Sequence, residues 1–225
     1  MLTSDSSWIG DELVGENLSC RRGGRLIFTG LDVRLAAGGV LLLTGSNGSG
    51  KSSLLRLLAT LIEPATGSLL WGAAAVADDA ARYRMALHYV GHLDAAKPAL
   101  TPRETLAFWS IMRGSAAPAV DGALAAFGLE AVADWPCRWL SAGQRRRLAL
   151  ARLVAAPAPV WLLDEPTAAL DSQSEARLVA TIAAHRAAGG RAVIATHQPI
   201  AIQDITTLAL DDFAASPEEA LAAAW

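Results

Sequence analysis

The segment Gly45-Ser-Asn-Gly-Ser-Gly-Lys51-Ser52 decides the fold of this 225-residue chain. It matches the pattern GxxxxGK[ST] and lies between an apolar strand predicted over 39–44 and a helix predicted over 52–62. Glycines in such a loop let successive backbone N–H groups surround phosphate oxygens, and the helix N-terminus adds the positive end of its dipole. The Lys51 ammonium can reach the β- and γ-phosphates of a nucleotide, and the Ser52 hydroxyl can ligate Mg²⁺.

Strands and helices alternate on both sides of this loop. Strands are predicted at 25–35, 39–44, 86–90, 160–163, 192–196 and 207–210, and helices at 52–62, 103–112, 121–127, 142–155 and 172–188. The alternation predicts an α/β fold with a mostly parallel central sheet, in which ligands bind at the carboxyl ends of the strands. Prolines at 98, 102, 118 and 136 bracket short helical segments and predict a small helical insert. Residues up to about Leu13 are interpreted as a loose leader.

The composition excludes several classes of protein. With 52% hydrophobic and 18% charged residues the chain can bury a core, and its net charge of -3 gives no electrostatic footprint for nucleic acid. Two cysteines make no disulfide framework, which favours a reducing compartment. Gly, Pro or charge interrupts every long apolar window, so we expect no membrane span and no signal peptide. The apolar surplus, a mean hydropathy of +0.31, then predicts a docking surface.

A second buried strand is predicted in Val160-Trp-Leu-Leu-Asp164-Glu165 and ends on two carboxylates. Asp164 is placed to hold Mg²⁺ opposite Ser52, and Glu165 to orient or deprotonate an attacking water. An acidic pair alone is more often a turn than a catalyst. Its position after a buried strand favours the functional interpretation.

Three shorter segments narrow the class of protein. Leu140-Ser-Ala-Gly-Gln144 opens the helix at 142–155, where Ser141 can act as N-cap and Gly143 leaves the backbone open to an oxygen ligand. Ala169-Leu-Asp171 follows the acidic pair, and Thr196-His197 ends the next strand. Taken singly, the first is a plain capping motif and His197 is better read as a buried core histidine.

Together and in this order, the segments resemble the nucleotide-binding subunit of ABC transporters over nearly the whole chain. The resemblance implies a P-loop NTPase core of the RecA-like type at 14–92 and 150–225, with a helical subdomain at 93–149. It identifies 45–52 as Walker A, 140–144 as the signature, 160–165 as Walker B, 169–171 as the D-loop and His197 as the switch histidine.

The resemblance also implies ATP and Mg²⁺ as ligands and a head-to-tail pair of copies as the working unit, with Ser141 and Gly143 acting across the pair. The catalytic residues it implies are Glu165, His197, Lys51 and His92, and the metal ligands are Ser52, Asp164 and His92. The nucleotide contacts it implies are Gly45, Ser46, Asn47, Gly48, Ser49, Gly50, Lys51, Ser52, Ser53, Arg22, Ser141, Gly143, Gln144 and Asp171.

Two positions depart from the common family pattern. Arg22 stands where many ABC subunits carry an aromatic residue that stacks on adenine; its guanidinium plane can stack in the same way, or it contributes nothing. His92, in Tyr89-Val-Gly-His92, stands where the family usually has a glutamine that helps to position Mg²⁺ and senses the transmembrane partner.

The segments 91–92, 97–101, 104–109 and 140–147 resemble one subfamily, the ATP-binding subunit of the bacterial cytochrome c maturation system, or haem ABC exporter. That resemblance implies a peripheral ATPase on the cytoplasmic face of the inner membrane. It implies integral membrane subunits as partners and, through them, a haem chaperone that delivers haem toward apocytochrome c. Three alternatives stay open: an ABC exporter for another substrate, a soluble ABC protein acting on ribosomes or DNA, and a regulatory ATP-binding module without turnover.

Two further sets of residues receive ordinary structural interpretations. The run Arg145–Arg147 and Arg152 are predicted to form a solvated or ion-paired helix surface. Trp109, Trp135 and Trp139, in or near the insert, are predicted to be core residues.

Overall fold

Over residues 11–92, 96–114 and 119–215, which the computed structural model describes, the chain forms two β-sheets and six α-helices. The strands are β1 Leu13–Arg22, β2 Arg25–Leu35, β3 Val40–Thr44, β4 Thr66–Trp71, β5 Ala74–Ala75, β6 Leu87–Val90, β7 Val160–Asp164, β8 Arg191–Ala195 and β9 Thr206–Ala209. The helices are α1 Lys51–Leu58, α2 Ala80–Met85, α3 Pro102–Met112, α4 Ala119–Ala126, α5 Ala142–Ala155 and α6 Ser172–Ala187. Short 3₁₀ turns occur at Glu130–Val132, Cys137–Trp139 and Leu210–Phe213.

The central sheet is parallel, with the strand order β6-β7-β8-β3-β9. All residues of β7 and β8 are buried, which explains their nearly continuous apolar sequences. Because the strands are parallel, their carboxyl ends meet at one edge of the sheet. The predicted α/β fold with a parallel central sheet is confirmed.

A second, antiparallel sheet has the order β2-β1-β4-β5 and packs over α1. The leucines of α1 are buried in a core that includes residues of both sheets, such as Phe28 of β2 and Leu43 of β3. Strands β1, β4 and β5 and helix α2 were not predicted from the sequence. In β1 the pairing register shifts at several places, so its buried residues come in groups of three and do not alternate.

The helical insert is also found, with α3 and α4 packed on α5 around Leu106, Phe127 and Leu148. A capping box formed by Thr101 and Glu104 begins α3, with Pro102 at its first position. Helix α5 has the predicted bounds, and a second capping box fixes its beginning. Within the described residues, no helix has the length and apolar character that crossing a membrane would require.

Three structural predictions were wrong. Helix α1 ends at Leu58 instead of Ile62, because Thr60 takes a left-handed conformation with φ of 55°. Trp135 and Trp139 are 50% and 63% exposed, since the turns that carry them lie on the surface of the insert. Arg146 and Arg152 are buried, and both donate hydrogen bonds to backbone carbonyls. The predicted leader falls mostly on residues 1–10, outside the described part of the chain.

His185 of α6 stacks on the buried Trp161 of β7, with ring centroids 3.6 Å apart and an angle of 4° between the planes. Burial lowers the pKa of His185 from 6.5 to about 4. The neutral form is therefore favoured in the folded chain, and the unfolded chain binds the proton more readily between these two values. The contribution of His185 to stability is complete above pH 6.5 and is lost as the pH falls toward 4.

We expect the free energy of unfolding to fall by about 2 kcal/mol between pH 7 and pH 5 because of His185 alone. The variant His185→Phe keeps an aromatic ring on Trp161 but cannot take up a proton, so its loss between these pH values should be smaller by that amount. Urea unfolding at both pH values measures the difference. His88, also buried with a lowered pKa, maintains part of the slope in both proteins. Equal slopes in the two proteins would contradict the assignment.

Candidate functional site

Residues 45–50 form a tight loop between β3 and α1. Gly50, with φ of 106°, is the N-cap of α1, and no side chain of the described residues caps that helix. A Cβ added to Gly50 would lie 2.9 Å from Cγ2 of Ile27 and 3.0 Å from Cδ1 of Phe28, so β2 packs directly on the loop and requires a glycine here. The N–H groups in the first turn of α1 are left to bind an anion.

Lys51 folds back over this loop. Its Nζ donates hydrogen bonds to the carbonyl oxygens of Gly45, at 2.7 Å, and Ser46, at 2.9 Å. The ammonium group lies within the loop, where it has only to exchange carbonyl oxygens for phosphate oxygens to bind a nucleotide. Of the other predicted loop contacts, Ser46, Asn47 and Gly48 are exposed, while Ser49 and Ser53 are buried.

Ser52 and Asp164 come together although 112 residues separate them in the sequence. The Ser52 Oγ donates a hydrogen bond of 3.0 Å to Oδ1 of Asp164, which is buried at the end of β7. A hydroxyl and a carboxylate are oxygen donors that suit Mg²⁺, which usually takes one or two protein ligands and completes its coordination with water and phosphate. The residue pair fits the predicted metal site. The described residues contain no group of three or more His, Cys, Asp or Glu side chains that could hold a metal ion by themselves.

Glu165 and His197 form the next pair along this edge of the sheet. Oε2 of Glu165 lies 3.0 Å from Nδ1 of His197, and the Glu165 side chain is mostly buried while that of His197 is exposed. The backbone of Glu165 is left-handed, with φ of 48°, and its N–H donates to the carbonyl of Ala195 at the end of β8. The structure brings together the carboxylate and the histidine that the sequence analysis singled out.

His92 lies two residues beyond Val90, the last residue of β6, and is exposed. Val90 pairs in register with Leu163, so His92, after β6, and Asp164, the last residue of β7, lie at the same edge of the sheet. Arg22 is the last residue of β1 and is also exposed. It belongs to the same hairpin as Ile27 and Phe28, which contact the loop.

The signature segment performs a structural role in its own chain. Ser141 and Gln144 form a reciprocal capping box, as the sequence predicted for the Ser141 cap. A Cβ at Gly143 would lie 2.9 Å from the carbonyl oxygen of Ala169, so the glycine allows α5 to approach the segment 169–171. Asp171 caps α6 by accepting a hydrogen bond from the backbone N–H of Ser174, and hydrogen bonds from Ser174 lower the pKa of Asp171.

The comparison with known protein families identifies this arrangement. A sequence profile described as "ABC transporter" matches residues 28–168, which include the loop at 45–52, the segment 140–144 and the carboxylates at 164–165. The chain belongs to the ABC transporter family. The matched region covers more than half of the chain, from β2 to just beyond β7.

Similar proteins cover nearly the whole of this ABC transporter chain. The Cytochrome c biogenesis ATP-binding export protein CcmA of Rhodospirillum rubrum is 59% identical over 92% of this chain and 88% of its own length. A solved structure of a bacterial Atm1-family ABC exporter with ATP bound is 27% identical, with a TM-score of 0.79 over 92% of this chain and 38% of that one. A dimeric ATP-binding cassette in a post-hydrolysis state with ADP and Pi is 24% identical, with a TM-score of 0.73 over 83% of this chain and 88% of that one, and shares the fold.

One residue at the Walker A loop of this ABC transporter chain was not predicted from the sequence. Asp211, in the 3₁₀ turn that follows β9, accepts hydrogen bonds from the backbone N–H of Ser46 at 2.9 Å and from its hydroxyl at 2.8 Å. These bonds lower the pKa of Asp211. They also hold the backbone at Ser46, next to the carbonyl oxygens of Gly45 and Ser46 that accept hydrogen bonds from Lys51. The signal was available, because Asp211 follows a predicted parallel strand, as Asp164 and His197 do.

We expect Asp211→Ala to weaken ATP binding about 5-fold, because one lost hydrogen-bonded anchor of the loop corresponds to about 1 kcal/mol. Isothermal titration with ATP measures the effect. Asp212→Ala is the matched control, since Asp212 is the adjacent exposed aspartate in the same 3₁₀ turn. Equal ATP affinity in the two variants would show that the Ser46 contact does not support the loop.

Proposed function

We propose that this chain is the ATP-hydrolysing subunit of a membrane ABC complex for c-type cytochrome biogenesis. The observation that carries the hydrolytic part is the grouping of Ser52, Asp164, Glu165 and His197 at one edge of the sheet, next to the Walker A loop. The biogenesis part is supported by the identity of 59% with a protein named for cytochrome c biogenesis, ATP binding and export.

In this proposal the backbone N–H groups of 45–53 surround the phosphates, and Lys51 leaves its loop carbonyls to bind the β- and γ-phosphates. Ser52 and Asp164 hold Mg²⁺, which neutralises phosphate charge when it is bound. His92 is a further candidate on the metal side because it follows the strand next to β7. Arg22 is the candidate contact to the base.

Glu165 is the residue that acts on water in this proposal. Its carboxylate accepts a hydrogen bond from the water and takes its proton as the water oxygen bonds to the γ-phosphorus. The bond between that phosphorus and the β–γ bridging oxygen breaks, and ADP and phosphate are the products. His197 holds Oε2 of Glu165, so that the remaining carboxylate oxygen is directed at the water.

A second copy of the chain is proposed to complete the site. Ser141, Gly143, Gln144 and Asp171 would then contact the nucleotide held by the partner copy, in a head-to-tail pair. The dimeric form of a cassette with the same fold supports this proposal. Within one chain these residues lie at the N-termini of α5 and α6, where Ser141 and Asp171 are the N-caps. Capping therefore fixes the orientation of the surface that would contact the partner copy's nucleotide.

The proposed membrane contact is an apolar surface on α3. One face of this helix exposes three apolar side chains, those of Phe108, Ile111 and Met112. Met85 is also exposed, and its carbonyl oxygen accepts a hydrogen bond from Arg113, the residue that follows α3. Such a patch is typical of an interaction site. We propose that integral membrane subunits bind this surface and hold the chain at the cytoplasmic face of the bacterial inner membrane, as a peripheral protein. Through these subunits, ATP hydrolysis would act indirectly on a haem chaperone.

The proposed domain division follows from the same functions. Residues 14–92 and 150–225 form the nucleotide-binding core, and 93–149 form the helical subdomain that carries the membrane contact and the signature. The division passes through α5, which contacts α3 and α4 on one side and β6 on the other.

We expect Glu165→Gln to reduce the turnover of ATP at least about 100-fold while ATP affinity stays nearly unchanged, because the amide cannot take the proton of water. Lys51→Ala should instead weaken ATP binding itself. Phosphate release and equilibrium binding of ATP separate the two effects. Turnover at the wild-type rate in Glu165→Gln, measured in the assembled complex, would refute the role of Glu165.

We expect Ile111→Glu to abolish recovery of the chain with membranes that contain its partner subunits, because a charge placed on the apolar surface must be desolvated on docking. Ile111 is 76% exposed, so the variant should unfold at the same urea concentration as the wild type. Ala184→Glu, which adds the same charge at an exposed position of α6, is the control and should still be recovered. Equal recovery of both variants would place the contact elsewhere.

A further inference from the structure

Arg146 lies in the helix that begins at the signature, yet its side chain is among the most buried charged groups described. Only 3% of the residue is exposed. From the sequence this arginine was expected on a solvated surface, in a run of three. A guanidinium is costly to bury, so its position calls for partners that repay the loss of water.

The partners of Arg146 are backbone carbonyls at the ends of two neighbouring strands. Nη2 donates to the carbonyls of Asp164 and Glu165, each at 2.7 Å, and Nη1 donates to that of Gly91 at 2.8 Å. Nε lies 3.4 Å from the carbonyl oxygen of Pro166. One planar guanidinium therefore joins three consecutive peptide groups at the end of β7 to the residue before His92.

The conformation of Glu165 depends on such support. A left-handed backbone, with φ of 48°, is unfavourable for a residue with a side chain and persists where the surroundings hold it. The N–H of Glu165 is held by Ala195 of β8, and its carbonyl by Arg146 and by the N–H of Ala168. Among these groups, Arg146 supplies the only side chain, and it comes from the signature helix.

We propose that Arg146 is a positioning residue that fixes the backbone of Glu165, and with it the carboxylate that acts on water, while tying this segment to α5 and to the strand end before His92. The inference rests on the proposed hydrolysis of ATP. It goes beyond it by assigning to a buried arginine of α5 the alignment of the carboxylate. Arg146 touches no phosphate in this role and acts through Glu165.

The two informative variants are Arg146→Lys and Arg146→Gln. Lysine keeps the charge, but its compact ammonium cannot span carbonyls on two strands as the planar fork does. Glutamine retains N–H donors but is neutral, so the Arg146→Gln variant does not bury a charge. It serves as the second variant in case a buried lysine ammonium destabilises the fold. In the purified full chain, both should lower kcat about 10- to 100-fold, as expected for a small displacement of a catalytic group, with KM for ATP changed less than about twofold.

The matched control is Arg186→Lys. Arg186 also donates to three carbonyls, those of Gly38, Gln203 and Asp204, on a different part of the fold. Its loss should lower the unfolding midpoint in urea without the selective loss of kcat. Comparable kcat in Arg186→Lys and Arg146→Lys would reduce Arg146 to a stabilising residue and overturn the proposal.

A double variant tests whether Arg146 acts through Glu165. In single-turnover hydrolysis of labelled ATP, Arg146→Lys should have little further effect once Glu165→Gln is present, because residues that act as a unit are not additive. Additive losses, a changed KM with retained kcat, or failure of both Arg146 variants to fold would each overturn the proposal. The proposed function is judged separately, by hydrolysis in the wild type and its loss in Glu165→Gln.

Discussion

The hydrogen bond between Ser52 and Asp164 exists because β3 and β7 run parallel on either side of β8, with their carboxyl ends at one edge. The same alignment brings four segments to that edge: the Walker A loop after β3, the carboxylates at the end of β7, His197 after β8 and Asp211 after β9. Every proposed step depends on this alignment. A shift of one residue in the register of β7 would turn Asp164 away from Ser52.

The helical insert is attached to this edge by arginines that bind carbonyl groups. Arg146 binds the end of β7, and Arg152, less than two turns further along α5, binds the carbonyl of Tyr89 in β6 and packs 5.0 Å from the ring of Trp109. Burial, followed by the nearby charges of Arg113 and Arg146, lowers the pKa of Arg152 to about 10. Hydrogen bonds to carbonyl groups compensate for burying these charges. They also fix the position of α5 relative to the strand ends that carry the proposed catalytic groups.

The signature segment illustrates how one set of residues can perform a structural and a functional role. Ser141 and Gln144 satisfy the first N–H groups of α5, and Gly143 lets that helix approach Ala169. The same residues are proposed to face the nucleotide of a second copy. Capping therefore contributes to function by making the presented surface rigid, at a helix end that would otherwise fray.

Local patterns in the sequence were sufficient to predict the parallel sheet, the phosphate-binding loop, the Ser141 N-cap and the pair Asp164–Glu165. Each of these rests on residues that are neighbours in the chain, such as glycines in a loop, an apolar run before two carboxylates, or a serine directly before a helix. Of the antiparallel sheet only β2 was predicted, and β1, β4 and β5 were missed. In β1, bulges interrupt the alternation that identifies a strand. Arg146 was assigned to the surface, and Asp211 was overlooked. Only the tertiary structure decided those two positions. Arg146 faces the carbonyls of Asp164 and Glu165 instead of water, and Asp211 contacts Ser46, because strands that are distant in the sequence become adjacent on folding.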